Sequence, residues 1–479
     1  MMFAAAIFVG SQVCRPCHAA ISDSYAQTPM ARSSGRAEPL PNAEFTAAGH
    51  RYKVSRNRLS FDGGASSIDY FVGSNSAGRT WLRAWEGYLF ELPVTWYAQK
   101  KLWDASPGYE REPYVRLNRA VEPSCLLCHS SQLRPVLGTQ NRYGDPPFLE
   151  NGVSCERCHG AGSEHARDPA AARMVNPAQL DAERRDSVCS QCHLSGEARI
   201  ERPGRRLVEF QAGELLSDYA TYLVWKGGRK DLKVTSHVEK LAASACRTAS
   251  GGPLSCITCH GPHTNADKSQ AACLSCHAGA HPQQVDRRQQ RCASCHMPKA
   301  QSADASHGVL TDHSIPRAPK PTGASTPTDL VGFLGVDDDR ALGLAYAELG
   351  DKRAVEYLRR ARPADWTVRL RLAVLERDLS RAAALYESVL KERPGETSAL
   401  VNLGTIYAGS GRIAEAATLW EKALVANPAI EEAALNLAQI RDPAEAAVIL
   451  RHYLVLNPAS PAARARLAGL LKRNRQGPF

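Results

Sequence analysis

Seven times in 479 residues the sequence places two cysteines three apart with a histidine directly behind the second. In chain order these are Cys14/Cys17/His18, Cys125/Cys128/His129, Cys155/Cys158/His159, Cys189/Cys192/His193, Cys256/Cys259/His260, Cys273/Cys276/His277 and Cys292/Cys295/His296. A random chain of this composition would hold about 0.015 such matches. Cysteines three apart sit on one face of a helical turn, where both thiols can form thioethers to the two vinyl groups along one haem edge. The adjacent histidine then reaches the iron as proximal ligand. Zinc is the competing use of C-x-x-C, but it leaves seven trailing histidines unexplained. A disulfide scaffold is poorer still, because three-apart cysteines pair badly. The pattern predicts seven covalently attached c-type haems.

An iron held by histidine on one face needs a ligand, or an opening, on the other. The stretch GVSCERCHGAGSEH supplies a second imidazole, His165, six residues after His159. That spacing, like the shorter ones from His260 to His263 and from His277 to His281, gives little slack to pass round the macrocycle. Each of these histidines is therefore expected to ligate a neighbouring haem. His237, His307 and His313 are the other distal candidates, the last two in a segment without hydrophobic periodicity. The seventh iron is left to Met30, to His50 or to no protein ligand. A thioether ligand would raise that haem's potential. A spare surface histidine is the plain alternative for every one of them. His452 reads as an exposed helix residue, and Cys246, the one cysteine outside the motifs, as a buried thiol rather than a ligand or disulfide partner.

The elements that must position these groups fall into two unlike halves. Residues 1–316 form the haem domain. Within it, about 45–118 are rich in aromatic and β-branched residues with partial period-two alternation, which predicts a small β insertion. Trp81, Trp85, Trp96 and Trp103 would form its core or pack on a haem face. The last three motifs begin at Cys256, Cys273 and Cys292, too close for an ordinary core, so the haems themselves must be the core there. Residues 317–328 read as a Pro, Ser and Thr-rich linker that leaves the C-terminal part free to work beside the haems. From 329 to 479 the pattern changes to tetratricopeptide (TPR) repeats. Leu403, Gly404, Tyr407, Ala416, Trp420, Ala423 and Pro428 fall on the repeat positions, with about four copies and a closing helix. The fold class is mainly α: a haem-packed domain with a small β insertion, followed by an α-solenoid.

With 43% hydrophobic and 23% charged residues the chain has the composition of a globular protein of two or three domains. The net charge of +10 would ordinarily raise nucleic acid. Seven ferric haems with ionised propionates offset roughly −7 of it, and no dense basic stripe is present, so nucleic acid is not an expected partner. Covalent haem attachment takes place outside the cytoplasm, which predicts a periplasmic or extracellular protein. The apolar start MMFAAAIFVG lacks a basic region and a full apolar run, as though the start lay inside a longer signal sequence. No run approaches a transmembrane helix.

The stretches FVGSQVCRPCH, GVSCERCHGAGSEH, SCITCHGPH and CASCHMPK with HGVLTDHSIPR resemble the multihaem cytochromes c of the doubled C-x-x-C-H group. These are related to the tetrahaem cytochromes that accept electrons from hydroxylamine oxidation, here continued by TPR repeats. The resemblance implies low-spin haems with histidine on both faces, arranged as a wire. C-x-x-C-K, which marks the catalytic haem of pentahaem nitrite reductases, is absent and disfavours that activity. The expected function is electron transfer, with the repeats docking a redox partner, an assembly factor or a peptide in their groove. Two alternatives stay open. One is an oxidoreductase acting on a small nitrogen or sulfur species at one open haem, expected at Cys14 and Cys17 if anywhere. The other is an interaction scaffold stabilised by its haems.

Overall fold

The computed structural model describes residues 7–250, 254–278, 291–317 and 326–475. Between the first two motifs, strands Ala43–Ala47, His50–Ser55, Arg58–Phe61 and Gly64–Ser67 form an antiparallel meander. Its first two reversals, Ala48-Gly49 and Arg56-Asn57, place both residues at positive φ, the turn whose twist matches that of the paired strands. Glu86-Gly87 repeats this turn between Gly78–Trp85 and Tyr88–Tyr97. Those two strands centre a second sheet that also holds Ser34–Arg36, Tyr70–Val72, Leu102–Ala105 and Arg119–Ala120. Alternate side chains of both sheets, including Tyr52, Val54, Leu59, Trp81, Leu92 and Val94, meet in one core. Trp103 contacts Phe45, Trp81 and Trp96 with ring centroids 5.3, 5.8 and 5.8 Å apart. Trp85 does not join them. It faces His452, with centroids 5.0 Å apart.

The haem motifs ride on short helices: Ser11–Cys14, Pro123–Leu126, Cys155–His159, Ala182–His193, Cys256–Cys259, Ser269–Cys276 and Cys292–His296. In three of them the amide of the motif histidine donates to the carbonyl of the first cysteine, at 3.0 Å (His18), 2.9 Å (His260) and 2.9 Å (His277). This one-turn closure sets the C-x-x-C-H spacing. A small apolar cluster of Leu127, Leu194, Leu207, Phe210, Leu216 and Tyr222 supports the second and fourth motifs. The last three motifs are different. Among the described residues from 254 to 317, no apolar side chain is buried. Such a segment cannot hold itself together by hydrophobic burial and requires another core.

The C-terminal part pairs helices as the repeat pattern requires: Asp339–Glu348 with Ala354–Arg360, Trp366–Leu375 with Leu379–Glu392, Thr397–Gly409 with Ile413–Ala426, and Glu431–Ile440 with Pro443–Leu456. Pro461–Arg475 closes the stack. Asp338, Asp365, Asp378 and Asp442 cap four of these helices by accepting amide hydrogens of the first turn. Glycine is required at position 404, since a Cβ there would lie 2.6 Å from Nε1 of Trp420.

The expected free linker is not how the halves are joined. Residues 318–325 lie outside the described part, but immediately beyond them Leu330–Leu334 pairs with Ala220–Trp225 of the haem region. Leu223, Trp225 and Leu330 share a core with Leu344 and Tyr346 of the first repeat helix. At the other end, two equivalent repeat corners, Ala426-Asn427-Pro428 and Leu456-Asn457-Pro458, dock on the β insertion and on the loop at Gln140. Asn427 donates to Gln140 Oε1 at 2.8 Å, and Asn457 Oδ1 accepts from the Leu117 amide at 3.3 Å. The buried guanidinium of Arg83 donates to the Leu456 carbonyl, and Tyr88 to that of Val425. Leu456 and Ala429 pack with Tyr88 and Phe90. The physical reason is that the corners present unpaired carbonyls and small apolar residues that an exposed sheet can satisfy. No helix among the described residues is long and apolar enough to cross a membrane.

Candidate haem centres

An imidazole that binds metal through Nε2 must keep that atom free while its Nδ1–H is held by an acceptor. His159 donates from Nδ1 to the Val175 carbonyl at 2.7 Å, and His165 to that of Ala172 at 2.7 Å. His296 does so to Pro316 at 3.0 Å and His313 to Thr311 at 3.0 Å. A carbonyl can only accept, so each ring is fixed with its proton on Nδ1. One short loop, 168–175, thus orients both histidines of the GVSCERCHGAGSEH stretch.

With metal–nitrogen bonds of about 2 Å and a ring radius of about 1 Å, two imidazoles sharing an iron have centroids about 6 Å apart. His18 and His165 stand 6.3 Å apart with their planes inclined by 20°, and His159 and His263 5.7 Å apart at 20°. His260 and His313 are 6.2 Å apart, and His193 and His237 5.5 Å. His237 and His313 also touch each other, at 4.6 Å, too close to admit a metal between them. Burial pushes the pKa values of His193, His237, His263 and His313 down, that of His237 to about 3, with neighbouring imidazoles adding to the effect. Each is held in the neutral form that can donate a lone pair.

Two expected ligands are placed otherwise. His307 directs Nε2 at the Asp104 carboxylate, 2.6 Å away, and lies edge-on to Tyr97. His50 spends its Nε2 on the Glu112 carbonyl at 3.1 Å. Both have committed the nitrogen that an iron would need. His165, and neither Met30 nor His50, stands opposite His18; Met30 contributes its carbonyl, which accepts from Val153 and Ser33. His281 lies outside the described residues. Among the described residues no imidazole faces His129 or His277. His129 also lacks a hydrogen-bond partner at its buried Nδ1.

The motif thiols approach one another across motifs. Cys14 lies beside Cys155, Cys128 beside Cys192, Cys189 beside Cys256 and Cys273 beside Cys292. Cys158 lies near Cys192, and Cys259 near Cys273. None is in a disulfide. Four of the expected thioether cysteines, Cys17, Cys125, Cys276 and Cys295, differ from these in standing exposed. Cys276 and Cys295 each lie 3.9 Å from the hydroxyl of the preceding serine, Ser275 and Ser294. The reason is that Cys295, like Cys276, belongs to the segment without a buried apolar side chain, so the polypeptide alone supplies nothing to cover it. Among the described residues no three His, Cys, Asp or Glu side chains converge as a zinc site would. Thiols left open at helical turns, imidazoles facing across an iron-sized gap, and a motif segment without apolar core all fit haem. Cys246 sits near Cys259 and Cys273.

One residue that the motif pattern did not single out is Glu156. Its carboxylate is 1% exposed and accepts from the amides of Val9, Gly10 and Gly162 and from Gln132 Nε2. It ties the first motif's leading segment to the third motif, and so brings His18 to His165. The signal was available, because Glu156 is the one acidic residue inside any of the seven motifs.

Comparison with known proteins matches residues 99–160 to the family described as cytochrome c554 and c-prime, and residues 373–440 to the tetratricopeptide repeat. No curated protein matches the chain in sequence. Among solved structures, the outer cell wall cytochrome OcwA is 14% identical, with 90% of this chain and 99% of that one covered, at a TM-score of 0.44. MamA is 24% identical over 28% of this chain and 80% of its own, at a TM-score of 0.26. A tetratricopeptide repeat protein from Parabacteroides merdae is 21% identical over 29% and 59%, at 0.25.

Proposed function

As a multihaem c-type cytochrome continued by tetratricopeptide repeats, this chain, we propose, is an exported electron carrier whose seven covalent haems form one conducting path. The observation that carries this reading is the unbroken run of neighbouring thiols. It leads from the first motif to the third through Cys14 and Cys155, on to the fourth through Cys158 and Cys192, and to the fifth through Cys189 and Cys256. Cys259, Cys273 and Cys292 extend it to the sixth and seventh, and Cys128 joins the second motif at Cys192. Haem bound at these positions supplies one-electron exchange between ferric and ferrous iron.

The chain's own residues hold and enclose that chemistry. Paired cysteines fix each haem edge, and backbone carbonyls of Val175, Ala172, Pro316 and Thr311 hold the ligating imidazoles in one tautomer. His165, His263, His237 and His313 are assigned to the irons of His18, His159, His193 and His260. Closing both faces keeps small molecules off those irons, which favours transfer over catalysis. The repeats are read as the docking module for a redox partner, and export follows from thioether attachment outside the cytoplasm.

A second reading, oxidation or reduction of a small nitrogen or sulfur species, is favoured where no described imidazole faces the proximal histidine, at His129 and His277, rather than at the first motif, where His165 faces His18.

Haem stoichiometry tests the proposal. Intact mass and a pyridine haemochromogen assay should return seven covalent haems. Five or fewer, or bound zinc in their place, would refute it.

A further inference from the structure

Among the buried groups that the ligation scheme leaves unused is Arg157, inside the third motif. Its Nε and Nη2 are buried, and among the described residues neither meets an acceptor. Of the other arginines with a buried unmatched nitrogen, Arg83 keeps the Leu456 carbonyl, Arg229 keeps Glu197 and Asp231, Arg369 keeps the Ala364 carbonyl, Arg185 stands 3.9 Å from Asp186, and Arg79 lies over the Phe71 ring. Arg157 instead lies among Cys192, Cys128 and Cys158. These are the second cysteines of the fourth, second and third motifs, so the cation sits where the thiol path branches. A guanidinium stays charged, and burying it unpaired is costly.

The missing partner must be an acceptor, preferably anionic, that arrives with the groups these motifs are built to hold. Each haem carries two propionate carboxylates, and the planar fork of arginine binds a carboxylate through two parallel hydrogen bonds. We infer that Arg157 is the counter-ion of a haem propionate at the junction of the second, third and fourth motifs, and that its charge raises the reduction potential there. The inference rests on the haem reading above. Reduction adds one electron to the iron without requiring a proton, so the local charge falls by one. A fixed cation nearby favours that reduced side.

The test is a spectroelectrochemical titration of the full-length holoprotein, with dithionite and ferricyanide through mediators, for the parent, Arg157→Gln and Arg157→Lys. Arg157→Gln should lower at least one midpoint by about a tenfold change in the reduced-to-oxidised ratio, about 59 mV for one electron. Arg157→Lys, which keeps the charge, should retain most of the parent's curve. Overlapping curves for the parent and Arg157→Gln overturn the inference, and so does an equal shift in Arg157→Lys, which assigns the effect to packing. Arg157→Met, neutral and unbranched, replaces Arg157→Gln with the same two outcomes should the glutamine variant fail to mature. Haem content measured on the same samples separates the two levels. A parent without covalent haem sinks the functional reading, whereas a haem-loaded parent with unshifted variants sinks this inference alone.

Discussion

His165 faces His18 at 6.3 Å, although in sequence it follows His159 by six residues and belongs to the third motif. On the proposed ligation, the ligand of one haem is carried by the peptide that attaches another. Replacing His165 by alanine should turn one haem from low to high spin and shift the potential of its neighbour at His159. Optical and magnetic spectra identical to the parent's would show that His165 is not a ligand.

Glu156 makes that meeting possible. Glu156→Gln sets an amide against donors that now face a carboxylate, and each charge-assisted bond lost costs about 1.5–3 kcal/mol. The expected result is a lowered unfolding temperature together with a perturbed first-motif signal, read by calorimetry and by the spin state of the haem at His18. A variant with unchanged stability would contradict the clamp.

The repeat corners should matter for stability as well as for docking. Leu456 is fully buried against Tyr88 and Phe90, so Leu456→Ala is expected to cost about 2–5 kcal/mol in denaturant unfolding. The same logic predicts that a chain ending before residue 326 exposes the insertion's core and loses the strand Leu330–Leu334. It should aggregate or yield little haem-loaded protein. A truncated protein with parent-like haem spectra and stability would show that the repeats are a separable module.

Much of this was legible in the chain. The C-x-x-C-H triplets and the repeat positions Leu403, Gly404 and Trp420 are local patterns, and local patterns survive without a structure. His165, His263, His237 and His313 stood out because they are spare imidazoles near motifs. His307 stood out for the same reason and is placed elsewhere. What captures it is Asp104, remote in sequence, and such pairings leave no mark in either segment. The docking of Asn427 and Asn457 on the insertion, and the strand pairing across residues 318–325, were hidden in the same way. Pro, Ser and Thr in a row do not say that the flanking elements are apart.

The most direct measurement is electron paramagnetic resonance of the fully oxidised protein, with spin quantification and with nitrite, cyanide or hydroxylamine added. Low-spin, bis-imidazole signals are predicted from at least four irons, those of His18, His159, His193 and His260, unmoved by any added ligand. A spectrum dominated by high-spin iron that responds to these ligands with turnover would contradict the electron-carrier reading.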